Sequence, residues 1–468
     1  MRGAVLATSA ATLTLERVTT ATSGRLSGDT GARALTGVSI DSRTLAPGQL
    51  FFAIAGKRFD GHEFLAEAAA KGAAAAVVHR DLAQPAGLPL IRVADTTRAL
   101  QDLARDVRAS AGVPVVAITG SAGKTTTKEM TAALLETRGP VLKTEGNLNN
   151  QYGLPLTLLK LRDEHQAAVL ELGMSAAGEL RELSRIAAPD VAVITNVAPV
   201  HLEFFDSLDA IAAAKAEIFE GLAPGGAAVL NGDDARLSRI GAAQRGEVLW
   251  FGRDRRFDVS AENWRGTAFG MRFDLVIAGR KHDVALPLAG PHFVMNFLAA
   301  AAAAHRLGVP PEAMADAATR LKAARHRGEL LRLGHGVMLL DDSYNSNPVA
   351  VCAAVVALGT AGGRRRVAFL GDMLELGPDA PAIHRRTGEA VAPGLDVVVG
   401  VGALAAQLLE AAEGKERHAF ADAASAAAAS AELVRPGDAV LVKGSRGVRM
   451  ESIVAALVER FGQADGQS

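Results

Sequence analysis

Between positions 113 and 127 the chain reads VPVVAITGSAGKTTT, which sets two glycines, Gly120 and Gly123, just ahead of Lys124 and three consecutive threonines. Glycine lets the backbone approach an anion closely, lysine meets outer phosphates, and a threonine hydroxyl completes the shell of a Mg2+ ion. The spacing T-G-x-x-G-K-T-T therefore predicts a phosphate cradle made of Gly120, Ser121, Ala122, Gly123, Lys124 and Thr125 or Thr126. It departs from G-x-x-x-x-G-K-[ST], which would place glycine where Ile118 stands. The rival reading is an ordinary strand-to-helix turn with a surface lysine. The order strand, glycines, lysine, hydroxyls favours the cradle.

Other residues could serve the same ligand. Glu171 closes an apolar run at 167–173, at the edge where parallel sheets bind ligands, and is a metal candidate or else a capping or ion-paired carboxylate. His201 follows a strand at 191–196, as a phosphate or metal partner or an ordinary histidine. Lys215 falls in a helix expected from Ser207 to Leu222, where a lysine is either a solvated charge or an inward-pointing amine. Residues 143–153, KTEGNLNNQYG, form a loop whose amides, Asn149 and Asn150 among them, offer donors and acceptors without charge, which suits a sugar or diphosphate. Ser42 and Arg43 read as turn chemistry or as contacts to an anionic substrate. Further on, DDSYNSNP at 341–348, Gly371-Asp372-Met373 and KGSRG at 443–447 all fall at predicted strand ends, with Pro348 a plausible first residue of a helix.

The elements that must hold these residues follow from their flanks. Residues 115–118 are apolar, mostly β-branched and stop at a glycine, as a buried parallel strand does. Residues 124–135 then carry apolar positions at Met130, Leu134 and Leu135, so the loop opens a helix whose first amides face the anion. Residues 12–112 read as a small α/β unit, and the chain from 113 to 324 as a parallel sheet with an antiparallel edge at 257–288. From 325 to 468, strands at 337–340, 366–370, 397–400 and 439–442 alternate with helices, which predicts a doubly wound parallel sheet. Alanine tracts at 299–304 and 423–429 read as close-packed helices.

The chain's 468 residues include 50 Lys plus Arg against 51 Asp plus Glu, so no global field selects nucleic acid or an acidic membrane, and an anionic ligand must be held locally. One cysteine, Cys352, excludes an internal disulfide framework and suits a reducing compartment. No uncharged apolar run reaches spanning length, and the first dozen residues are too weakly apolar for a secretory signal, so a cytoplasmic protein is expected.

Thr119 to Thr126, the Asn196-Val197-x-x-x-His201-Leu202 step, the Asp341-Asp342-Ser343-Tyr344-Asn345 strand end and GNLNNQYGLP at 146–155 resemble the ATP-dependent Mur ligases, over nearly the whole chain. The resemblance implies three α/β domains: 12–112 for the UDP end of the substrate, 113–324 as a central P-loop ATPase, and 325–468 as a Rossmann-like domain. It implies an enzyme of peptidoglycan precursor synthesis that uses ATP and Mg2+ to join D-Ala-D-Ala to a UDP-N-acetylmuramoyl-tripeptide, as a monomer, with neither nucleic acid nor a membrane span. Lys124, Glu171, His201 and Lys215 would be catalytic, and Thr125, Glu171, His201 and Lys215 as a carbamate would hold the metal. Asn296, Arg327 and Asp342 would hold the adenine, phosphate and ribose of ATP, with Tyr344 and Asn345 beside them. Ser42, Arg43, Thr144, Asn149 and Asn150 would meet the UDP-sugar. The family's His-Asn-x-x-Asn is His292-Phe293-Val294-Met295-Asn296 here. A folylpolyglutamate synthetase would share the phosphate loop but not the two asparagine-rich motifs, and a P-loop motor would hydrolyse ATP without making a bond.

Overall fold

The computed structural model describes residues 12–28, 35–56, 58–81, 87–199, 203–267, 270–360 and 363–464, which divide into two compact units. The first comprises the chain up to Ile118 with Arg138–Ala192 and Glu217–Gly226. Its first sheet has strands β1 (Arg25–Ser27), β2 (Gly37–Ser39), β3 (Gln49–Phe52), β4 (Ala75–Val78) and β5 (Leu90–Arg92) in the order β1-β5-β4-β3-β2. β2 to β5 run parallel, and β1 is an antiparallel edge. A helix at Thr96–Ala111 follows, started by Asp95, whose carboxylate accepts from Arg98 N (2.9 Å), and stopped by Gly112 at φ +65°.

Strands β6 (Val115–Thr119), β7 (Val141–Lys143), β8 (Ala167–Glu171) and β9 (Val191–Ile194) lie in the order β7-β8-β6-β9. Every residue of β6, β8 and β9 is buried, as continuous apolar runs in a parallel sheet require.

The second unit takes the ends of β6 and β9 and continues into β10 (Ala227–Asn231), β11 (Glu247–Gly252), β12 (Val259–Thr267), β13 (Gly270–Ile277) and β14 (Arg280–Leu286). The last three form the expected antiparallel edge. Helices Lys124–Leu135 and Pro291–Arg306 pack together, and Ala299 to Ala304 are wholly buried, since only small side chains allow such close approach.

The remaining sheet has β15 (Glu329–Arg332), β16 (Met338–Asp342), β17 (Arg366–Gly371), β18 (Val397–Val401), β19 (Glu416–Phe420) and β20 (Ala439–Lys443), ordered β15-β16-β20-β17-β18-β19. β16 to β20 are parallel. β15 and β19, which the sequence reading did not anticipate, are exposed charged edges, and β15 runs antiparallel. Helices Pro348–Thr360, Ala380–Val391 and Ala405–Glu410 build one apolar core, and Ala423–Leu433 with Glu451–Phe461 build the other. The chain steps from β16 to β19 in one direction, then returns to insert β20 between β16 and β17. That reversal opens a crevice over the carboxyl ends of those three strands.

A helix also differs from expectation. The helix from Ser207 is α-helical only over Leu208–Ala216, with Ser207 Oγ accepting from Ala210 N (3.1 Å), and its remainder, Glu217–Gly221, tightens to a 3-10 turn. Glu217 there accepts from Gly178 N (2.8 Å), and Gly221 lies against the Ser184 backbone, which together draw the last turn in.

Candidate active site

The phosphate loop leaves the buried end of β6 and is tethered by the segment after β9. Ser121 N donates to Asn196 O (3.1 Å), and Ser121 Oγ donates to Ala198 O (3.0 Å). Asn196 grips the Ala122 peptide from both sides: its Oδ1 accepts from Ala122 N (3.0 Å) and its Nδ2 donates to Ala122 O (3.1 Å). Thr195 Oγ1 also donates to Ala122 O (2.6 Å). Thr195 and Asn196, to which the sequence alone assigns no role, hold the loop. Asn196 stood in the quoted motif, but its partner lies 74 positions away.

Two glycines are required by this geometry. Gly120 sits at φ +152°, where a Cβ would strike Thr195 Oγ1. Gly123 is the N-cap of the helix Lys124–Leu135 at φ +81°, and a Cβ there would strike Asn296 Oδ1. No side chain caps this helix, so its N-terminal turn remains an anion-binding end. Lys124 Nζ donates to Gly120 O (2.7 Å), which folds the ammonium over the loop. Thr125 is buried, and Asn296 touches the loop from the helix Pro291–Arg306.

Lys215 is buried to 1% exposure, which overturns the outer-face alternative. Burial, followed by the charge of Lys124, pushes its pKa well below the ordinary lysine value, so the two amines are electrostatic neighbours. No acidic side chain among the described residues offsets that shift. His201 lies outside the described residues.

On the carboxyl side of the crevice, Arg327 stacks over the Tyr344 ring at 4.0 Å and Arg446 at 5.1 Å. Lys443 Nζ donates to Asp342 Oδ2 (2.6 Å) and Asn345 O (2.9 Å). Burial pushes the Asp342 carboxyl up, against the pull of Lys443. Phe293, the departure in the His-Asn-x-x-Asn motif, is buried against Gly328, where a Cβ would stand 2.6 Å from the ring. Its neighbour His292 has a buried Nδ1 without a partner among the described residues, and burial with the Lys443 charge lowers its pKa to about 4.

In the other unit, Glu171 is buried at the end of β8. Its Oε1 accepts from Asn149 Nδ2 (2.9 Å), and its backbone N donates to Thr144 Oγ1 (3.0 Å). Thr144 is thus a buried support for Glu171. Asn150 Oδ1 accepts from Tyr152 N (3.1 Å) and Gly153 N (2.9 Å), which holds the turn just ahead of the helix Gly153–Leu158. Arg43 is chelated by Asp41 (2.7 Å), a turn contact, while Ser42 Oγ donates to Glu67 (3.0 Å), 25 positions on.

Three family models match in chain order: "Mur ligase family, catalytic domain" over 34–108, "Mur ligase middle domain" over 118–304, and "Mur ligase, glutamate ligase domain" over 326–446. The UDP-N-acetylmuramoyl-tripeptide–D-alanyl-D-alanine ligase of Escherichia coli is 40% identical over 457 residues, covering 96% of this chain and 98% of that protein. A crystal structure of MurF from Acinetobacter baumannii superposes with a TM-score of 0.90 at 35% identity, covering 96% of this chain and 99% of the other. The MurF ligase of Thermotoga maritima in complex with ADP gives 0.82 at 31% identity, covering 91% and 97%.

Proposed function

The chain belongs to the Mur ligase family, and on that premise we propose that it joins D-alanyl-D-alanine to a UDP-N-acetylmuramoyl-tripeptide in peptidoglycan precursor synthesis, using ATP. The observation that supports this most directly is the phosphate loop with its peptide gripped by Asn196 and its lysine folded over it, in a chain similar to such ligases along nearly its full length.

Amide formation from a carboxylate and an amine in water is uphill. Transfer of the γ-phosphoryl group of ATP to the tripeptide carboxylate gives an acyl phosphate and ADP. Attack by the dipeptide amine on the acyl carbon then expels phosphate and forms the peptide bond, with one proton released. Negative charge builds on phosphate oxygens in both steps, and Lys124 with the loop amides stabilises it without reorganisation. Asn296 holds the adenine end, Arg327 the phosphates and Asp342 the ribose, with Tyr344 and Asn345 beside them. Thr144 orients Glu171. Ser42, Arg43, Asn149 and Asn150 receive the UDP-sugar.

Mg2+ fits the donor chemistry. Thr125 offers a hydroxyl and Glu171 a buried carboxylate, the kind of oxygen ligands that Mg2+ takes in small number beside substrate phosphates and water. Thr125, Glu171, His201 and Lys215 as a carbamate would hold it, and when bound it supplies Lewis-acid neutralisation of the phosphate charge. Among the described residues no helix is long and apolar enough to cross a membrane, and a cytoplasmic monomer is the form proposed.

Phosphate release from ATP, measured with each substrate omitted in turn, tests the reading. Both the UDP-tripeptide and the dipeptide should be needed for turnover, and Lys124→Ala should lower it ~10² to 10³-fold in a folded protein. Rapid ATP hydrolysis with neither substrate would identify a hydrolase instead.

A further inference from the structure

The loop leaving β17 at the crevice, residues 371–376, is pinned amide by amide. Asp372 N donates to Val401 O (3.1 Å), Met373 N to His384 Nε2 (2.9 Å) and Leu374 N to Ser445 Oγ (2.9 Å), while Asp372 O accepts from Ser445 N (3.1 Å). Asp372 Oδ1 accepts from Ala405 N (2.7 Å). Glu375 completes the turn at φ +62°, a conformation that L residues hold only when their surroundings fix it. Behind the loop Gly371 and Gly444 lie side by side: a Cβ on Gly371 would stand 2.8 Å from Met450 Sδ, and one on Gly444 3.2 Å from Gly371 Cα. The loop displays Leu374, 43% exposed, against Gly447; Arg446, the residue before that glycine, is exposed, with its guanidinium 3.5 Å from Glu451 and 5.1 Å above the Tyr344 ring.

His384 has no place in the phosphate chemistry, yet it is wholly buried with both ring nitrogens committed. Its Nδ1 lies 2.7 Å from Ala380 O and must be the protonated nitrogen, which leaves the Nε2 lone pair to accept from Met373 N. Burial lowers its pKa and keeps it neutral, so this tautomer persists. An apolar residue could fill the same core space, but it would orphan the Met373 amide.

We infer that His384 is a positioning residue for the amine acceptor: through Met373 N, and with Ser445 holding Leu374 N, it fixes the turn that sets Leu374 against Gly447, the residue after Arg446. A leucine suits the methyl groups of a small dipeptide, and the exposed Arg446 guanidinium, which has donors beyond the one facing Glu451 at 3.5 Å, suits its carboxylate. The inference rests on the ligase reading above. It makes His384 a determinant of acceptor affinity rather than of nucleotide binding.

The test uses two substitutions in the full-length protein. His384→Asn keeps a donor for Ala380 O but is too short to accept from Met373 N, whereas His384→Gln returns an amide oxygen near the Nε2 position. His384→Asn should raise the KM for D-Ala-D-Ala about tenfold and leave those for ATP and the UDP-tripeptide within about twofold, and His384→Gln should recover most of the loss. Ser445→Ala, which removes the partner of Leu374 N, should show the same selective rise and decides the matter if the asparagine variant does not fold. A parental dipeptide KM in these variants, or a parallel rise in all three KM values with a fall in Tm, overturns the inference while leaving the ligase reading intact. A parent protein that never consumes the dipeptide overturns both.

Discussion

Lys215 shows how a single residue's surroundings set its chemistry. A lysine whose folded pKa is depressed takes up a proton more readily in the unfolded chain, so below its ordinary value of 10.5 each fall in pH costs stability until the folded group also protonates. The neutral amine that results is a nucleophile: its nitrogen can add to the carbon of CO2 and lose a proton, giving a carbamate. That converts a neutral amine near Lys124 into an anion able to ligate Mg2+ through oxygen. Lys215→Ala should lower turnover by about 10²-fold or more, and short carboxylic acids should partly restore it by refilling the cavity. The same variant fully active in CO2-depleted buffer would end the assignment. The sequence left this lysine's face open, because a helix containing Ile211, Ala212 and Ala214 is apolar nearly all round.

At the scale of elements, the phosphate loop works because the segment after β9 holds it from the side. Asn196→Ala removes both of its bonds to the Ala122 peptide; Ala122 O keeps the Thr195 hydroxyl, so the half-buried amide is the group left unmet, at about 1 to 3 kcal/mol, and the KM for ATP should rise ~10-fold with a smaller change in Tm. An unchanged KM in isothermal titration and kinetics would show that the loop holds its shape unaided. The strand, loop and helix were legible in the sequence, and the helix runs over Lys124–Leu135 as its apolar spacing required. Their tethers were not. Asn196 to Ala122, Asn149 to Glu171 and His384 to Met373 are side-chain contacts fixed only by tertiary packing, and no local period announces them. β15 and β19 were missed for the opposite reason: as edges they carry charge where a buried strand carries valine, so their alternation is faint.

For the molecule as a whole, balanced charge means that its response to acid is set by a few buried groups. His292 is one. The unfolded chain protonates it near 6.5, the folded chain only near about 4, so stability should fall as pH drops through that window, by up to ~3 kcal/mol. Asp342, raised by burial, acts in the opposite sense at the acid end, so the difference between parent and His292→Gln isolates the histidine. Urea midpoints measured from pH 7 to pH 4 should slope less for His292→Gln, and parallel curves would refute the shift. The glycines behind the acceptor loop carry a different kind of consequence. Because Gly371 and Gly444 share the space under Met450, a larger residue at either position meets the same thioether. A lineage could therefore accept alanine at 371 or 444 most readily after position 450 had become smaller, and would then be barred from regaining methionine there: the order of the steps is fixed, and the path runs one way.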